Sequence, residues 1–334
     1  MNILSSYTLN KNIVILLQQI ERLKTEFDLF PQDILLEKYT RRKSILKSAV
    51  YSARIEGNPK TLEEVSTQSI KNSKEKHKRE LWNLVRTLEF VLKHSWKKDV
   101  SIDDIKNLNA MVLNDLSPEA GILRGEPSAI FNQAGIAIYV CPPPQEIKDL
   151  LNQLLHYVNE DNEPFAPVKA ALTHHAFEKI HPFLDGNGRV GRLLIHLLLK
   201  KWKFDLRGLV AFEEYFDQER TAYYDLLAMR KNDITFFVEF FLQSLKVSFK
   251  DAVKAQARPG KTNKEELLPP RRYEILRIIK DHRQVSFDFV RRRFMAVSDR
   301  LLRYDLKKLQ DQNLIRKLGS TRGTYYVPYS EVIR

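Results

Sequence analysis

Residues 181–192 read HPFLDGNGRVGR and form the most informative segment of this 334-residue chain. These twelve positions contain an imidazole, a carboxylate, two glycines around an asparagine, and two guanidinium groups. An apolar helical pattern from Leu193 to Leu199 follows directly. Because the first N–H groups of a helix have no partner within it, such a loop directs them at a bound anion. The segment therefore predicts a phosphate-binding site at the start of a helix.

The side chains of this segment suit chemistry on a nucleoside triphosphate. His181 has an ordinary pKa of about 6.5, as a general base near neutral pH requires. Asp185 offers the hard oxygen ligand that Mg²⁺ prefers. The two glycines let the backbone approach a phosphate closely. Arg189 and Arg192 are three residues apart, so they share one helix face and suit bidentate phosphate binding.

Composition and charge describe an ordinary globular protein with a basic C-terminal part. Hydrophobic residues make up 43% of the chain and charged residues 29%. The formal net charge is +13, and residues 271–334 carry most of it, with 16 Lys and Arg against 7 Asp and Glu. This asymmetry indicates either a segment that binds nucleic acid or another acidic partner, or a solvated basic face.

The sequence predicts a cytoplasmic protein without membrane contact. Cys141 is the single cysteine, which excludes an intrachain disulfide and a cysteine-based zinc site. The N-terminus lacks the pattern of a signal peptide. The apolar runs are far shorter than the roughly 18 residues of a membrane-spanning helix.

The distribution of apolar residues predicts a mainly α-helical protein in four parts. Apolar stripes at spacings of three and four residues recur along most of the chain. We expect an N-terminal helical region at 1–98 that includes a helix at about 35–57, a helical core at 99–248, a linker at 249–268, and a C-terminal domain at 269–334.

One short segment departs from the helical pattern. Residues 128–131 and 136–140 flank a four-residue turn, and three prolines follow the second run. This pattern predicts a β-hairpin within a helical domain. Two explanations stay open: a structural flap over the core, and an exposed strand edge that accepts an extended peptide.

The C-terminal domain has the predicted element order of a winged helix-turn-helix. Helices are expected at 271–280, 286–294 and 298–312, followed by strands at 314–318 and 324–327. The third helix carries basic residues beside its leucine stripe, namely Arg300, Arg303, Lys307 and Lys308. Such a helix can contact DNA, and a winged helix used only for protein contacts is the alternative.

The opening segment resembles the signature of the Fic family, His-x-Phe-x-Asp/Glu-Gly-Asn-Gly-Arg-x-x-Arg, and agrees with it at every specified position. The resemblance implies a Fic-type helical core with a β-hairpin flap. It also implies AMPylation: AMP passes from ATP to a Ser, Thr or Tyr hydroxyl of a target protein, or of the enzyme itself, and pyrophosphate leaves.

The resemblance implies a role for each residue of the motif. His181 is the catalytic base that takes the proton of the target hydroxyl, and Asp185 holds Mg²⁺ against the α- and β-phosphates. The phosphates of ATP are bound by five residues of the loop and the following helix, with the last at the γ-phosphate: Gly186, Asn187, Gly188, Arg189 and Arg192.

Two further segments resemble parts of Fic proteins. The second strand of the hairpin corresponds to the flap that binds the target segment by strand addition, and its residues are Ile136, Ala137, Ile138 and Tyr139. Tyr223 and Tyr224 lie in a region that borders the nucleotide base. Each ring either stacks on adenine or packs in the core.

Residues 52–58, SARIEGN, resemble the inhibitory motif Ser/Thr-x-x-x-Glu-Gly/Asn of the same family. Ser52 and Glu56 match the motif, and Gly57 acts as the stop signal of the preceding helix. The resemblance implies that Glu56 pairs with Arg192 in the space that the γ-phosphate needs. The carboxylate and the triphosphate then compete for one guanidinium.

Two alternatives to AMPylation stay open. A Fic-fold phosphotransferase, or a transferase with another nucleotide donor, uses the same scaffold, but members that transfer phosphate depart from Gly-Asn-Gly-Arg. A DNA-binding regulator with a nucleotide-sensing Fic domain accounts for the basic segment. The expected partners are ATP with Mg²⁺, an unidentified protein substrate, DNA at the winged helix, and a second copy of the chain in a homodimer.

Overall fold

The computed structural model describes residues 3–31, 33–71, 73–96, 98–131, 137–160, 163–229, 232–257, 265, 268–319 and 324–329. This part of the chain is mainly helical and contains two small antiparallel sheets, so the predicted fold class is confirmed. It divides into two compact units, of which the first spans 1–32 and 40–257 and the second 33–39 and 258–334.

Besides two short 3-10 helices at 144–146 and 206–208, the elements up to residue 257 are eleven α-helices and two strands among the described residues. They are α1 (Lys11–Asp28), α2 (Ile34–Ile55), α3 (Thr67–Ile70), α4 (Lys76–Lys93), α5 (Ile102–Val112), β1 (Ala129–Phe131), β2 (Ala137–Val140), α6 (Ile147–Asn159), α7 (Ala166–Ile180), α8 (Asn187–Lys201), α9 (Glu213–Gln218), α10 (Arg220–Ala228) and α11 (Thr235–Gln256). Over the residues described, no helix has the length and apolar content that a membrane span requires.

The central pair of helices, α7 and α8, positions the loop at 181–186. The two helices pack against each other, and α4 and α5 pack on α8. The residues of α8 from Val190 to Leu199 are all buried, as expected for a helix in the interior of a domain. Gly191 permits the close approach of α7, because a Cβ there would lie 2.2 Å from Glu178 Oε1.

A long helix pair closes the first unit. α1, for which the sequence predicted no individual helix, packs along α11 and buries Ile13, Ile20 and Phe27 among other residues. The apolar spacing of three and four residues along α1 accounts for this buried face.

The core extends further than predicted, because α11 ends at Gln256. Phe249, Ala252 and Val253 are buried and continue the helical stripe to Gln256 with spacings of three and one. The charged residues between them obscure this periodicity in the sequence. The predicted start of the linker at 249 is therefore wrong, and residues 258–264 of that linker lie outside the described residues.

The strands β1 and β2 pair antiparallel, with Ala129 opposite Val140 and Ile130 opposite Tyr139. This pairing confirms the predicted strands, while the expected turn and Ile136 lie outside the described residues. A backbone hydrogen bond of 3.0 Å from Cys141 N to Ser128 O extends the pairing by one position.

The second unit has its own hydrophobic core. Its elements are α12 (Pro270–His282), β3 (Val285–Ser286), α13 (Phe287–Arg293), α14 (Asp299–Asp311), β4 (Ile315–Leu318) and β5 (Tyr325–Pro328). The strands form an antiparallel sheet in the order β3-β5-β4. The three expected helices and two expected strands are present. The sequence missed β3, because two residues are too few to show a periodicity of two.

Candidate active site

His181 ends α7 in the left-handed conformation, with φ 47° and ψ 61°. Its N–H donates to Phe177 O over 3.0 Å, and its Nδ1 lies 3.3 Å from Glu178 O. A neutral ring that donates from Nδ1 to a carbonyl keeps Nε2 as an acceptor. Burial lowers the pKa of His181 below its ordinary value. The imidazole is therefore neutral near pH 7 and ready to accept a proton at Nε2.

The buried side chain of Asn187 holds the loop in shape. Its Oδ1 accepts a hydrogen bond of 2.9 Å from Phe183 N, and its Nδ2 donates to Phe183 O over 2.7 Å. These two bonds close the loop upon itself. Both ends of the Asn187 side chain are thus used within the loop, and its backbone N–H in the first turn of α8 remains for the predicted phosphate contact.

Asn109, on α5, also supports the loop and lies far outside the motif. Its Nδ2 donates to Asp185 O over 3.0 Å, and its Oδ1 accepts from Gly121 N over 2.8 Å. The contact joins residues 76 positions apart, so no local pattern in the sequence signals it.

Arg124 is the second support that the sequence did not reveal. Its buried guanidinium donates to His181 O over 2.8 Å through Nε and to Pro142 O over 2.6 Å through Nη2. Its backbone N–H donates to Pro182 O over 3.0 Å. Arg124 therefore connects the loop that carries the imidazole to the segment that follows β2.

The two glycines of the motif serve different purposes. Gly186 has φ +84°, a conformation that glycine adopts without strain, and its N–H donates to Asp185 Oδ1 over 2.6 Å. Gly188 lies in the first turn of α8, where a Cβ would lie 2.2 Å from Glu56 Oε1. The first glycine forms the turn, and the second leaves room for a carboxylate at the start of the helix.

Arg189 lies between two carboxylates. Its Nη1 donates to Glu80 Oε1 over 2.6 Å and its Nη2 to Asp185 Oδ1 over 2.5 Å. The Arg189 side chain is 8% exposed, whereas that of Asp185 is 61% exposed. Glu80, on α4, was not predicted. Asp185 is the member of this group that a cation can reach from solvent.

Arg192 is buried at 1% exposure and makes three hydrogen bonds to the end of α2. Its Nε donates to Ser52 Oγ and its Nη2 to Ser52 O, both over 2.9 Å. Nη2 also donates to Glu56 Oε1 over 2.8 Å. Burial lowers the pKa of Arg192, but Glu56, Tyr223 and Tyr224 together raise it by more, so the pKa lies above its ordinary value. Gly57 follows with φ +94° and ends the turn. The structure thus brings the predicted inhibitory residues onto the last arginine of the motif.

Residues 99–199 match the family described as Fic/DOC. This segment is a Fic domain. The match spans α5, the hairpin and the helices α6 to α8, and therefore includes the whole loop.

Relatives and solved structures agree with this assignment. The protein adenylyltransferase Fic of Drosophila virilis is 33% identical over 148 residues, 43% of this chain and 28% of the relative. That of Nematostella vectensis is 28% identical over 238 residues, 67% of this chain and 52% of the relative. The chain thus spans about half or less of the length of these relatives. It is a distant homologue of protein adenylyltransferases.

Two solved structures share the fold. A Fic family protein from Desulfovibrio desulfuricans has a TM-score of 0.67 at 23% identity, covering 98% of this chain and 99% of that one. Fic-1 from C. elegans has a TM-score of 0.60 at 23% identity, covering 73% of each chain.

A buried polar cluster lies beside Arg192 in the Fic domain and was not predicted. His174 Nε2 lies 2.8 Å from Tyr223 OH, and Glu178 is buried one turn further along α7. Burial raises the pKa of Glu178 to about 8 and lowers that of His174 to about 3. Both side chains are therefore mainly neutral near pH 7. The cluster leaves Glu56 as the carboxylate that compensates Arg192.

The two tyrosines expected near the nucleotide base occupy different environments. Tyr223 is 1% exposed and its ring stacks on Phe216 at a centroid distance of 4.6 Å. This burial favours packing in the core, one of the two alternatives expected for its ring. Tyr224 lies at the margin of the site, where its hydroxyl donates to Ile55 O over 3.1 Å. Burial and the nearby Glu56 raise the pKa of Tyr224.

Arg124 connects the hairpin of the Fic domain to the loop at 181–186. The described strand β2 contains Ala137, Ile138 and Tyr139 of the expected flap, and Tyr139 pairs with Ile130 of β1. Pro142, two residues after β2, shares the Arg124 guanidinium with His181.

Proposed function

We propose that this protein transfers AMP from ATP to a hydroxyl group of a protein side chain and that Glu56 restrains the reaction. One observation carries the proposal: Arg192, the last residue of the Fic motif, is held by the Glu56 carboxylate at the start of α8. The names of the curated relatives, which are protein adenylyltransferases, support the chemistry.

In the proposed reaction the target hydroxyl oxygen forms a bond to the α-phosphorus of ATP. The bond from that phosphorus to the bridging oxygen of the β-phosphate breaks, and pyrophosphate leaves with the electron pair. Nε2 of His181 takes the hydroxyl proton, which its neutral state allows. The N–H groups of the first turn of α8 and the guanidinium of Arg189 stabilise charge on the phosphates.

The residues present fit a bound Mg²⁺. Asp185 is an exposed carboxylate beside the helix start that would receive the phosphates. Among the described residues no three His, Cys, Asp or Glu side chains form a metal cage. This suits Mg²⁺, which keeps its waters and takes one or two carboxylates together with phosphate oxygens. When bound, the ion would neutralise charge on the triphosphate.

The proposed restraint follows from the position of one carboxylate. Glu56 Oε1 lies on Arg192 Nη2 and also against Gly188, where a nucleotide phosphate would approach the start of α8. Arg192 is buried, so its guanidinium cannot turn toward solvent and contact a phosphate while it stays paired with Glu56. ATP would bind productively only after the Glu56 side chain has moved.

Autolabelling with radioactive ATP tests the proposal. With α-³²P-ATP and Mg²⁺, the Glu56→Gly variant should label itself more than the wild type, and the additional His181→Ala substitution should remove the label. A label that appears with γ-³²P-ATP alone would instead support phosphate transfer. We favour AMP transfer over that alternative because the Gly-Asn-Gly-Arg segment is intact.

A second candidate function is DNA binding by the second unit, which we propose to be a winged helix-turn-helix. On α14 the leucines at 302, 306 and 309 are buried, while Arg300, Arg303 and Lys307 are exposed. Asp305 is buried and pairs with Arg271 and Arg272 at 2.5 and 2.9 Å, so it does not pair with the exposed basic residues. Among those, Lys307 pairs with Asp311 over 3.3 Å and Arg303 lies over the Phe287 ring.

A salt titration of the full-length protein with a 20-base-pair duplex tests this second function. Neutralising the phosphates releases counterions, so the Kd should rise steeply with salt and less steeply for a variant with Arg300→Ala and Lys307→Ala. Absence of binding at low salt, or a Kd independent of salt, would favour the use of this unit for protein contacts.

A further inference from the structure

We propose that one face of α9 and α10 positions the end of α2 and thereby determines how firmly Glu56 holds Arg192. The inference rests on the proposed function, since it concerns regulation of the same site. The face, here called the α9–α10 clamp, consists of four residues at helical spacings of four, three and four: Glu213, Asp217, Arg220 and Tyr224.

Glu213 joins the two helices that carry the regulated pair. Ser48 Oγ donates to Glu213 Oε2 over 2.5 Å, and His196 Nε2 lies 2.7 Å from Glu213 Oε1. All three side chains are buried. Ser48 lies one turn before Ser52 on α2, and His196 lies one turn after Arg192 on α8. Glu213 therefore fixes α2 against α8 one turn away from the inhibitory contact.

Asp217 and Arg220 hold the last turn of α2. Arg54 Nε donates to Asp217 Oδ2 over 3.1 Å, and Arg220 Nη2 donates to Arg54 O over 2.6 Å. The last carbonyls of a helix lack partners within the helix. The clamp supplies such a partner at the point where α2 ends.

Tyr224 completes the clamp at the final residue of the helix. Its hydroxyl donates to Ile55 O over 3.1 Å. The peptide unit between Ile55 and Glu56 is planar, so holding this carbonyl also fixes the Cα of Glu56. The reach of the carboxylate to Arg192 is thus set by contacts that lie outside the Fic motif.

The clamp should act on a population of states. If Arg192 is free in only a fraction of molecules, the apparent affinity for ATP is reduced by that fraction. Weakening the clamp raises the fraction, and the labelling at subsaturating ATP rises with it. When Glu56 is absent there is no contact to loosen, so the same change should have no effect.

The test compares two variants in two backgrounds. Ser48→Ala and Arg220→Gln each remove a hydrogen bond of the clamp without touching the motif. In the protein that retains Glu56, each should raise autolabelling from α-³²P-ATP about three- to ten-fold, the range expected for one hydrogen bond. In the Glu56→Gly background neither should change it. Ser44→Ala is the matched control, because the buried Ser44 hydroxyl on α2 has no hydrogen-bond partner among the described residues.

Each outcome decides one of the two claims. No increase in the presence of Glu56, or an equal change in both backgrounds, would overturn the clamp and indicate a structural role only. If the Glu56→Gly protein itself transfers no AMP, the proposed function fails. In that case, ATP titration calorimetry of His181→Ala proteins still tests the clamp: Ser48→Ala should tighten ATP binding only when Glu56 is present.

Discussion

The loop at 181–186 and the end of α2 meet at the start of α8, but they are held in different ways. Buried side chains bind the backbone of the loop, as Asn187 binds Phe183 and Arg124 binds His181. The end of α2 reaches α8 through Arg192, which donates to Ser52 twice and to the Glu56 carboxylate once. Under the proposed function, a triphosphate would replace the Glu56 contact and none of those that hold the loop. The loop is thus fixed by buried side chains, whereas the Glu56 contact would be exchangeable.

The largest effect is expected when the proposed base, His181, is removed. His181→Ala in the Glu56→Gly background should lower autolabelling by at least about 10²-fold, the range of general-base catalysis. ATP affinity by calorimetry should change little, because His181 is not placed on the phosphates. Labelling that stays within about threefold of the parent would contradict the role of His181.

The second largest effect is expected when the loop at 181–186 is loosened. Asn187→Ala leaves the N–H and carbonyl of Phe183 without their partner, which should cost about 1–3 kcal/mol for each group. A loop displaced by about 1 Å should reduce labelling by roughly 10²-fold. Thermal unfolding and labelling measure the two effects. Asn187→Asp, which keeps the acceptor, should lose less of both, and an equal loss would argue against the described hydrogen bonds.

The exchangeable contact is broken by Glu56→Gly. Removing one partner of an ion pair with a buried arginine costs a few kcal/mol, although desolvation offsets part of the attraction within the pair. We expect autolabelling at subsaturating ATP to rise about 10- to 100-fold, with a lower KM for ATP. Glu63→Gly, on the segment after α2, serves as a control for loss of a carboxylate. Equal labelling by wild type and Glu56→Gly would remove the basis for inhibition.

A smaller effect on labelling is expected from a substitution that fills the space at the start of α8. In Gly188→Ala the new Cβ would overlap Glu56 Oε1, so the carboxylate must leave its position. Labelling should rise in the protein that contains Glu56, by less than about tenfold, because the methyl group also narrows the phosphate site. In the Glu56→Gly background the same substitution should only lower labelling. A fall in both backgrounds would show that the methyl group obstructs the nucleotide more than the carboxylate.

The smallest effect concerns pH. Burial lowers the pKa of His181, so the imidazole gains its proton only below the ordinary value of about 6.5. The labelling rate of Glu56→Gly should therefore change by less than about twofold between pH 7.5 and pH 6.5 and fall at lower pH. A decline that begins above pH 7 would indicate a raised pKa and contradict the described environment.

Sequence patterns predicted the local features and missed the distant ones. The motif at 181–192 and the periodic helices depend on neighbours in the chain, so they could be read directly. The contacts of Asn109 and Arg124 span 76 and 57 positions, and no periodicity reports them. The family resemblance assigns Asn187 to the phosphates. Only the folded loop shows that Phe183 uses both of its ends.

The extent of α11 and the environment of Tyr223 illustrate a second limit of prediction from the sequence. Charged residues between Phe249 and Gln256 obscure a stripe that tertiary packing nevertheless buries. Tyr223 and Tyr224 are adjacent in sequence, yet one is inside the core and the other is at the margin. Adjacent residues of a helix point in directions about 100° apart, so their environments depend on the rotation of the helix.

The two bonds between Arg192 and Ser52 have a consequence for the nucleotide. They join the guanidinium to a hydroxyl and a carbonyl of α2 that do not belong to Glu56, so they do not require its carboxylate. The arginine has then already lost its rotamer freedom during folding. Under the proposed function, a triphosphate would meet a preorganised receptor and would not have to order a flexible side chain, so more of the contact energy would be retained as affinity.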